Sequence, residues 1–235
     1  MAVAPRSPNR FLAALSPADF ELVRPELRFM ELVNGAVLVE AGGAMTHVYF
    51  PHDGIVSLVV RLEKGETVEA AMIGSDGVLG ASAALDGQIA LNTAIVQLPG
   101  AGSTLAVAHL RRVADQSASF RALLMRHEQL ILAQALQTSA CNATHTVQSR
   151  LSRWLLRARD LSGSDTLTFT HEFLAQMLGT QRNSVSIVAN TLQEAGLVRY
   201  RRGRIEITNL EGLVESSCEC YDRVKGYYEK LLHNK

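Results

Sequence analysis

The chain has 235 residues, of which 47% are hydrophobic, and its 23 basic and 23 acidic side chains balance at pH 7. This length and composition predict one large or two medium folded domains and exclude a disordered chain. No segment approaches the roughly 18 to 20 uninterrupted apolar residues of a membrane span. Residues 1–11 also lack the apolar stretch of a secretory signal. We therefore expect a cytoplasmic protein without a membrane partner.

The charges are unevenly distributed along the chain. Residues 1–140 hold 10 basic and 13 acidic side chains, whereas residues 141–204 hold nine arginines and four acids. Arginine favours planar, bidentate pairing with phosphate or guanine. The excess predicts a localised anionic partner, with a solvated charged surface as the alternative.

The three cysteines are Cys141, Cys218 and Cys220. Their number is odd, and their spacing does not match the paired clusters of a structural zinc site or a disulfide framework. We expect reduced thiols and no metal site. Cys218 and Cys220 could form a metal or redox pair, but their position in a C-terminal helix favours a partly buried surface feature.

Residues 27–98 are a succession of short apolar or alternating stretches separated by glycine. Turn signals about every eight to twelve residues around β-branched runs predict an antiparallel sandwich or roll. Short helices are expected around residues 74–87 and near the start, where Ser16 can be the N-cap and Pro17 the first helical residue.

A long helix is predicted from Ser119 to Cys141, where the chain contains neither glycine nor proline. Residues at alternating steps of four and three predict a coiled-coil seam: Phe120, Leu124, His127, Ile131, Gln134, Thr138 and Cys141. Further apolar surface remains at Leu123, Leu130 and Leu132. We expect one face to lie on the β-domain and the other on a two-fold mate. A helix buried inside a monomer is the alternative.

A second helix is predicted over residues 144–161, with one apolar face formed by Val147, Leu151, Trp154, Leu155 and Ala158. The domain boundary is placed near Asn142. The prediction is thus a β-roll domain over residues 1–118, a dimerisation helix over 119–141 and a third domain over 142–235.

Residues 170–196 fit a helix, a turn and a second helix. Thr170 can cap the first helix, Ala175 is small where the two helices would cross, and Gly179 can take the positive φ of a tight turn. Apolar residues at helical spacing fill the small core between the helices: Leu174, Leu178, Val185 and Val188. Because these features agree, we predict a DNA-binding helix-turn-helix.

The second helix presents a polar face away from its valines. The predicted base-facing residues are Gln181, Arg182, Asn183, Ser184, Ser186, Ile187 and Asn190. Arg182 can read guanine or grip phosphate, Asn183 can bond adenine, and Ser186 is a tolerant hydrogen-bonding group. Ile187 can meet a thymine methyl group, with core packing as an equal alternative.

The stretch "LVRYRRGRIEI" predicts a β-hairpin directly behind this helix, with Gly203 in the turn. This is a winged variant of the motif. Its arginines are suited to phosphate oxygens beside the groove, and together with Thr170 they form the predicted phosphate contacts: Arg199, Arg201, Arg202 and Arg204.

A β-roll, a long helix and a winged helix-turn-helix in this order resemble the Crp/Fnr family of bacterial transcription regulators. The likeness is most specific over residues 174–207, "LAQMLGTQRNSVSIVANTLQEAGLVRYRRGRIEI". It implies an α+β fold with an effector-binding, jelly-roll-like domain, a dimerising helix and a second motif helix in the major groove. The implied function is a sequence-specific transcription regulator that binds palindromic double-stranded DNA as a homodimer, with RNA polymerase as a further partner.

The chain departs from the family's base-reading pattern at two positions. Arg182 matches the principal base-contacting arginine, but Asn183 stands where an acidic residue usually follows it. Ile187 stands where a second arginine is often found. The resemblance therefore implies a different base preference.

The effector site departs further. Cyclic-nucleotide binders in the family use a Gly-Glu pair for the ribose and an Arg-Ser or Arg-Thr pair for the phosphate. The corresponding pairs here are Gly80 with Ala81 and Asn92 with Thr93. A buried phosphate would lack its counter-charge, so we predict no tight binding of cyclic AMP. The effector is left unidentified, with residues of the long helix as further pocket candidates: His127 and Gln134.

The sequence offers no familiar cofactor site. The first 140 residues contain no cysteine, which excludes the N-terminal iron–sulfur site of one family branch. The lone histidines that could ligate haem are better explained as structural or exposed: His47, His52, His109 and His127. We therefore expect that no cofactor is required.

Two other classes of function compete with this one. The chain lacks a zinc-protease helix, a Gly-x-Ser-x-Gly elbow and a phosphate-binding Gly-Lys-Ser/Thr loop, so we do not expect an enzyme. A sensor or protein-interaction module with a degenerate DNA-binding domain is the alternative function, and the arginine-rich wing argues against it.

Overall fold

The computed structural model describes residues 7–85 and 89–232. Residues 1–6 of the N-terminal stretch and residues 86–88 of the effector stretch lie outside the described part. The fold is α+β, with the predicted order of β-rich domain, long helix and winged domain. Within the described residues, no helix has the length and apolar character needed to cross a membrane.

The N-terminal roll consists of two antiparallel sheets. Its strands are β1 (Arg28–Leu32), β2 (Val37–Val39), β3 (His47–Pro51), β4 (Ile55–Arg61), β5 (Thr67–Ile73), β6 (Thr93–Leu98) and β7 (Gly100–Ala106). One sheet has the order β1-β7-β3 and the other β2-β6-β4-β5. The turn before β4 requires Gly54, because its φ is +78° and a Cβ there would lie 2.7 Å from the Leu98 carbonyl oxygen.

Short helices flank the roll: α1 (Arg10–Ala13), α2 (Pro17–Val23) and α3 (Val107–Gln116), with a 3₁₀ segment at Ala81–Leu85. The predicted cap of α2 is confirmed, since Ser16 Oγ accepts a hydrogen bond from Asp19 N and Pro17 is the first helical residue. Helix α1 is not among the predicted elements, and its Phe11 and Leu12 are fully buried in the core of the roll.

The long helix α4 (Ala118–Thr144) contains the predicted range and extends it at both ends. The predicted seam was wrong as an intermolecular face, because all of its residues except Ile131 are buried inside this chain. Two of its polar members have partners there: His127 Nε2 accepts from Val78 N at 3.1 Å, and Gln134 Oε1 accepts from Tyr228 Oη at 3.1 Å. Leu123 and Leu130 are buried as well, so only Leu132 of that group is exposed.

A different face of α4 is open. Exposed residues at alternating steps of four and three run along it, and we call them the exposed stripe: Ala118, Ala122, Met125, Gln129, Leu132, Leu136, Ser139 and Ala143. Met125, Leu132 and Leu136 are 50%, 59% and 63% exposed. The stripe therefore has both the spacing and the small or apolar character of a coiled-coil seam.

The C-terminal part comprises α5 (Val147–Ser162), β8 (Thr166–Thr168), α6 (His171–Leu178), α7 (Arg182–Glu194), β9 (Val198–Arg201), β10 (Arg204–Ile207), α8 (Leu210–Ser216) and α9 (Cys220–Leu232). The break between α4 and α5 lies at His145, three residues after Asn142, and Thr146 caps α5 by accepting from Ser149 N. Helix α9 packs back on α4, and its Tyr228 joins the core of the roll.

The roll and the winged domain share a buried junction. Trp154 of α5 is 1% exposed and donates from Nε1 to the Glu69 carboxylate of β5 at 2.9 Å. Beside it, Arg157 forms a buried ion pair with Asp76 at 2.7 Å. Breaking a buried ion pair leaves an uncompensated charge, so this contact favours one relative placement of the two domains.

The junction predicts a specific pH dependence of stability. Burial raises the pKa of Glu69 to about 7, above its ordinary value of 4.5. Between these values the unfolded chain loses its proton first, so the contribution of Glu69 to the free energy of unfolding falls as pH rises, by about 3 kcal/mol in total. The buried His127, whose pKa is lowered by burial to about 4, contributes in the opposite direction. Ser57 Oγ also donates to the Glu69 carboxylate. Glu69→Gln keeps an acceptor for Trp154 and an amide that can hydrogen-bond the Ser57 hydroxyl, and should remove the contribution of Glu69. Urea unfolding of the wild type and of Glu69→Gln at pH 4.5 and pH 8 measures the free energy of unfolding of each protein.

The exposed carboxylate of Glu66, in the preceding turn, provides the control. Glu66→Gln should leave the pH dependence of the wild type unchanged. If Glu69→Gln also followed the wild type between pH 4.5 and pH 8, Glu69 would not be the group responsible.

Candidate nucleic-acid interface

Helices α6 and α7 form the helix-turn-helix that the sequence predicts. Thr170 Oγ1 accepts from Phe173 N at 3.1 Å and so caps α6, while Gly179 takes φ +57° at its C-terminal end. Ala175 and Val185 are buried where the helices meet. The core residues anticipated from spacing are therefore in place, with Val188 partly buried against the same cluster.

Helix α7 presents most of its predicted reading residues to solvent. Gln181, Arg182, Asn183 and Asn190 are exposed, and Ser184 and Ser186 are half-buried. Ile187 is 67% exposed, which decides against core packing for this side chain. An exposed isoleucine between polar groups is suited to contact with a thymine methyl group.

Ser186 is already hydrogen-bonded inside the chain. Its Oγ donates to the Arg182 carbonyl oxygen at 3.1 Å and lies 2.9 Å from His171 Nδ1. The His171 ring packs on Tyr200 of β9, with ring centroids 4.1 Å apart. Burial, and next the positive charge of Arg182, lower the pKa of His171, so this ring is neutral near pH 7. Ser186 thus helps to fix α7 against α6 and the hairpin.

Arg182 lies at the N-terminal end of α7, which is the end that a major groove receives. Its Nε is 4.0 Å from the Glu172 carboxylate, and both side chains are well exposed. Such a surface pair contributes little to stability, so the Arg182 guanidinium can leave Glu172 and bind another anion.

The wing is the hairpin formed by β9 and β10. Arg202, with φ +50°, and Gly203, with φ +78°, form its two-residue turn. Arg201 stands directly opposite Arg204 in the register of the hairpin. Like charges placed opposite each other are destabilising, and among the described residues no acid pairs with Arg201, Arg202 or Arg204. The wing tip therefore concentrates positive charge that is suited to binding an anion.

The remaining wing arginine differs. Arg199 is opposite Glu206 and pairs with its carboxylate at 3.2 Å. The arginines of α5 also do not contribute to the exposed positive surface. Arg150, Arg153 and Arg157 are 7% exposed, and Arg159 pairs with Asp165. The basic excess over residues 141–204 is thus divided between an internal set and the α7–wing surface.

The roll contains a cavity of about 600 Å³ next to α4. Its lining is mostly apolar: Val39, Met45, Leu58, Ile73, Val78, Leu79, Ile89, Ala90, Leu91 and Ile131, with Gly80, Ser82, Asn92 and Glu128. Two of the six predicted pocket residues, Gly80 and Asn92, are therefore part of it.

The other four predicted pocket residues do not line this cavity. Ala81 is fully buried in the core of the roll, and Thr93 Oγ1 donates to the Glu40 carboxylate at 3.0 Å. His127 and Gln134 are held by the hydrogen bonds to Val78 and Tyr228 described above. Position along the chain suggested these residues, but their side chains already have partners elsewhere.

The only charged side chain among the described residues that line the cavity is acidic. Burial raises the pKa of Glu128, although a hydrogen bond from Ser82 N at 2.9 Å acts in the opposite direction. An ionised Glu128 repels a phosphate, and none of the described lining residues is a lysine or arginine that could balance it. The cavity therefore favours an apolar ligand that carries a hydrogen-bond donor or a positive charge.

The three cysteines are free thiols, but Cys218 and Cys220 are buried and do not form the partly buried surface feature that was expected. Cys141, His145, Cys218 and Cys220 bring their ligand atoms within 4.8 Å of one another. A hydrogen bond from Cys218 lowers the pKa of the Cys141 thiol, and Arg153 lowers it further. The sequence signal was the step of four from Cys141 to His145 on one helix face, together with a Cys-x-Cys pair.

A sensor-like roll joined by a long helix to a winged helix-turn-helix defines a two-domain, DNA-binding transcription regulator. Two family models match in the same order: the cyclic nucleotide-binding domain over residues 29–117 and the Crp-like helix-turn-helix domain over residues 149–216. No curated protein matches the chain.

Solved structures share this architecture. FixK2 from Bradyrhizobium japonicum aligns over 82% of this chain and 98% of its own, at 16% identity and a TM-score of 0.71. A Crp/Fnr-family regulator from Thermus thermophilus aligns over 83% and 98%, at 23% identity and a TM-score of 0.63. The c-di-GMP-responsive regulator CLP of Xanthomonas campestris aligns over 82% and 99%, at 15% identity and a TM-score of 0.64. These likenesses show the fold, and with the two domain models the chain belongs to the Crp/Fnr family of transcription regulators.

Proposed function

We propose that the chain reads palindromic DNA as a homodimer, with α7 of each copy in a major groove and the roll as the sensor of an effector other than cyclic AMP. The observation that carries this proposal is the exposed polar face of α7 beside an arginine-rich wing tip without acidic partners among the described residues. In a degenerate DNA-binding domain, opposed arginines without acidic partners would destabilise the hairpin with no interaction to compensate.

Specific reading falls to the exposed residues at the start of α7. Arg182 can form a bidentate contact with guanine, and Asn183 can do the same with adenine. Ile187 supplies an apolar contact one turn later. Arg201, Arg202 and Arg204, with Thr170 at the start of α6, lie where phosphates flank the groove and contribute affinity without base preference.

We assign the dimer interface to the exposed stripe of α4. The helix has 27 residues, so the stripe extends over about 40 Å. Alanine and serine allow a close approach of two helices, and Met125, Leu132 and Leu136 supply apolar area. A two-fold pairing along this stripe would leave both winged domains free to bind successive grooves.

The cavity chemistry supports an effector that is largely apolar. The described lining residues include no cation for a cyclic phosphate, and Glu128 lies where an anion would be repelled. CLP, which shares this fold, is a c-di-GMP-responsive regulator, so a ligand other than cyclic AMP has precedent on the same scaffold. Ile131 of α4 lines the cavity, so a ligand there contacts the helix that carries the stripe.

Selection of duplexes from a random pool by the full-length chain tests DNA reading. We expect enrichment of an inverted repeat. Arg182→Ala should lower the affinity for the selected duplex by about 1 to 3 kcal/mol and relax the preference at one base pair. Fluorescence anisotropy with single-base variants of the duplex measures both effects.

The wing supplies the matched comparison. Replacing Arg201 and Arg202 by glutamine should weaken binding to all duplexes alike and reduce the salt dependence by about two phosphate contacts. Arg199→Gln, at a position already paired with Glu206, should have a smaller effect. Absence of any enriched sequence, or unchanged binding by Arg182→Ala, would contradict the proposal.

The dimer interface is tested by charge on the stripe. Leu132→Glu combined with Leu136→Glu should convert the chain from dimer to monomer at micromolar concentration, because like charges would face each other across the seam. Light scattering gives the mass. Leu62→Glu, at an exposed leucine of the roll, should remain dimeric. A monomeric wild type would refute the interface.

The cavity is tested by calorimetry with cyclic AMP. We expect no binding at micromolar concentration, since a buried phosphate would meet Glu128 and no cation. A neutral apolar dye such as N-phenyl-1-naphthylamine should bind and brighten, and Ile131→Trp should block it by filling the cavity. Micromolar affinity for cyclic AMP would show that our assignment of the pocket is wrong.

A further inference from the structure

Four potential metal ligands meet where the long helix joins the winged domain. Cys141 lies in the last turn of α4 and His145 directly follows that helix, while Cys220 is the first residue of α9 and Cys218 lies two positions before it. Cys141, Cys218 and Cys220 are 0%, 8% and 0% exposed, and His145 is half-buried. We call these residues the Cys₃His cluster. It brings together segments separated by more than 70 positions in sequence.

The spacing within the cluster fits a single tetrahedral ion. Sγ of Cys141 is 3.5 Å from Sγ of Cys218, and Sγ of Cys220 is 3.6 Å from Nδ1 of His145. With Zn–S near 2.3 Å and Zn–N near 2.0 to 2.1 Å, tetrahedral ligands lie about 3.8 Å (S to S) and about 3.6 Å (S to N) apart. An iron–sulfur cluster would hold its thiolates further apart, because several irons and sulfides lie between them.

The surroundings also suit a metal-bound cluster. His145 Nε2 lies 3.5 Å from the Glu219 carboxylate, the arrangement that orients a metal-ligating histidine. Gln137 Nε2 donates to Cys220 Sγ at 3.0 Å. Arg150 and Arg153 are buried nearby, and each has an Nε without a hydrogen-bond partner among the described residues. Three thiolates, a neutral histidine and Zn²⁺ carry one net negative charge, which these guanidinium groups would offset.

We propose that Cys141, His145, Cys218 and Cys220 bind one Zn²⁺ ion, which fastens the end of α4 to the start of α9. All four positions are occupied by protein ligands, so the site is closed and structural, without an open position for a reaction. Binding displaces the protons of the three thiols to solvent and changes no oxidation state.

The proposed site goes beyond DNA reading and does not depend on it. Helix α8 packs on α5, and α9 packs on both α4 and α5. A zinc ion at this point therefore fixes the orientation of the winged domain relative to the dimerisation helix. In a dimer, that orientation sets the separation of the two α7 helices.

Metal content of the purified full-length chain is the direct test. Elemental analysis of protein prepared under reducing conditions without chelator should find about one zinc per chain. Cys218→Ser and His145→Ala should lose it. The cysteines of the cluster are the only ones in the chain, so the control is a distant exposed histidine, and His47→Ala should retain a full complement.

Cobalt provides a second readout that needs no variant, in case a cysteine replacement prevents folding. Wild-type protein stripped with a chelator under reducing conditions should bind Co²⁺ and develop the intense visible bands of a tetrahedral cobalt–thiolate centre. Zn²⁺ should displace it at one equivalent. Glu219→Gln should weaken zinc binding about tenfold while keeping the same cobalt spectrum, as expected of a residue that only orients His145.

Several results would overturn the proposal. Reduced, folded wild type that takes up neither zinc nor cobalt would exclude the site. Iron and inorganic sulfide in freshly purified protein would identify an iron–sulfur cluster in place of the zinc site. A Cys141–Cys218 disulfide in protein prepared anaerobically would identify a redox pair instead. Loss of DNA binding with full zinc content would contradict only the proposed DNA reading.

Discussion

The long helix α4 has apolar residues on more than one side, and the rest of the structure is arranged around it. Its buried face packs on the roll through residues such as Phe120 and Leu124, and on α9 through Gln134. Its exposed stripe keeps Leu132 and Leu136 in solvent. An exposed stripe with this spacing is typical of a coiled-coil seam, and we propose that a second copy of the same helix covers it. The same helix lines the cavity of the roll through Ile131 and ends at the Cys₃His cluster.

The roll and the winged domain are linked in two places. The first is the junction on α5, where Trp154 bonds Glu69 and Arg157 pairs with Asp76. The second is the end of α4, where the Cys₃His cluster joins it to α9. A ligand that moves α4 relative to the roll would act on the first link, whereas zinc would hold the second one rigid. A ligand in the cavity would then change the position of the winged domain, and the metal would fix the orientation of that domain relative to α4. Coupling of this kind requires that the ligand bind the two positions with different affinity.

Local features of the fold could be predicted from sequence, whereas long-range pairings could not. The cap at Thr170, the turn at Gly179 and the wing turn at Gly203 each follow from a few neighbouring residues, and all three are present. The prediction of the α4 seam as a dimer interface was wrong because a spacing of 3.5 residues indicates a buried face but does not identify the part that covers it. The Cys₃His cluster was missed because its two halves are far apart in sequence. Four of the six predicted effector residues do not line the cavity. Ala81 and Thr93 came from an alignment, which gives position along the chain and not the partner of each side chain. His127 and Gln134 came from the long helix, where both are hydrogen-bonded inside the chain.

We propose that two α7 helices bind one face of DNA about one helical turn apart. Hydroxyl-radical footprinting of the full-length chain on a selected duplex measures this most directly. The account predicts two protected half-sites related by two-fold symmetry, with centres about 10 base pairs or roughly 34 Å apart. Protection of a single half-site, or of two half-sites whose spacing is unrelated to the helical repeat, would contradict it.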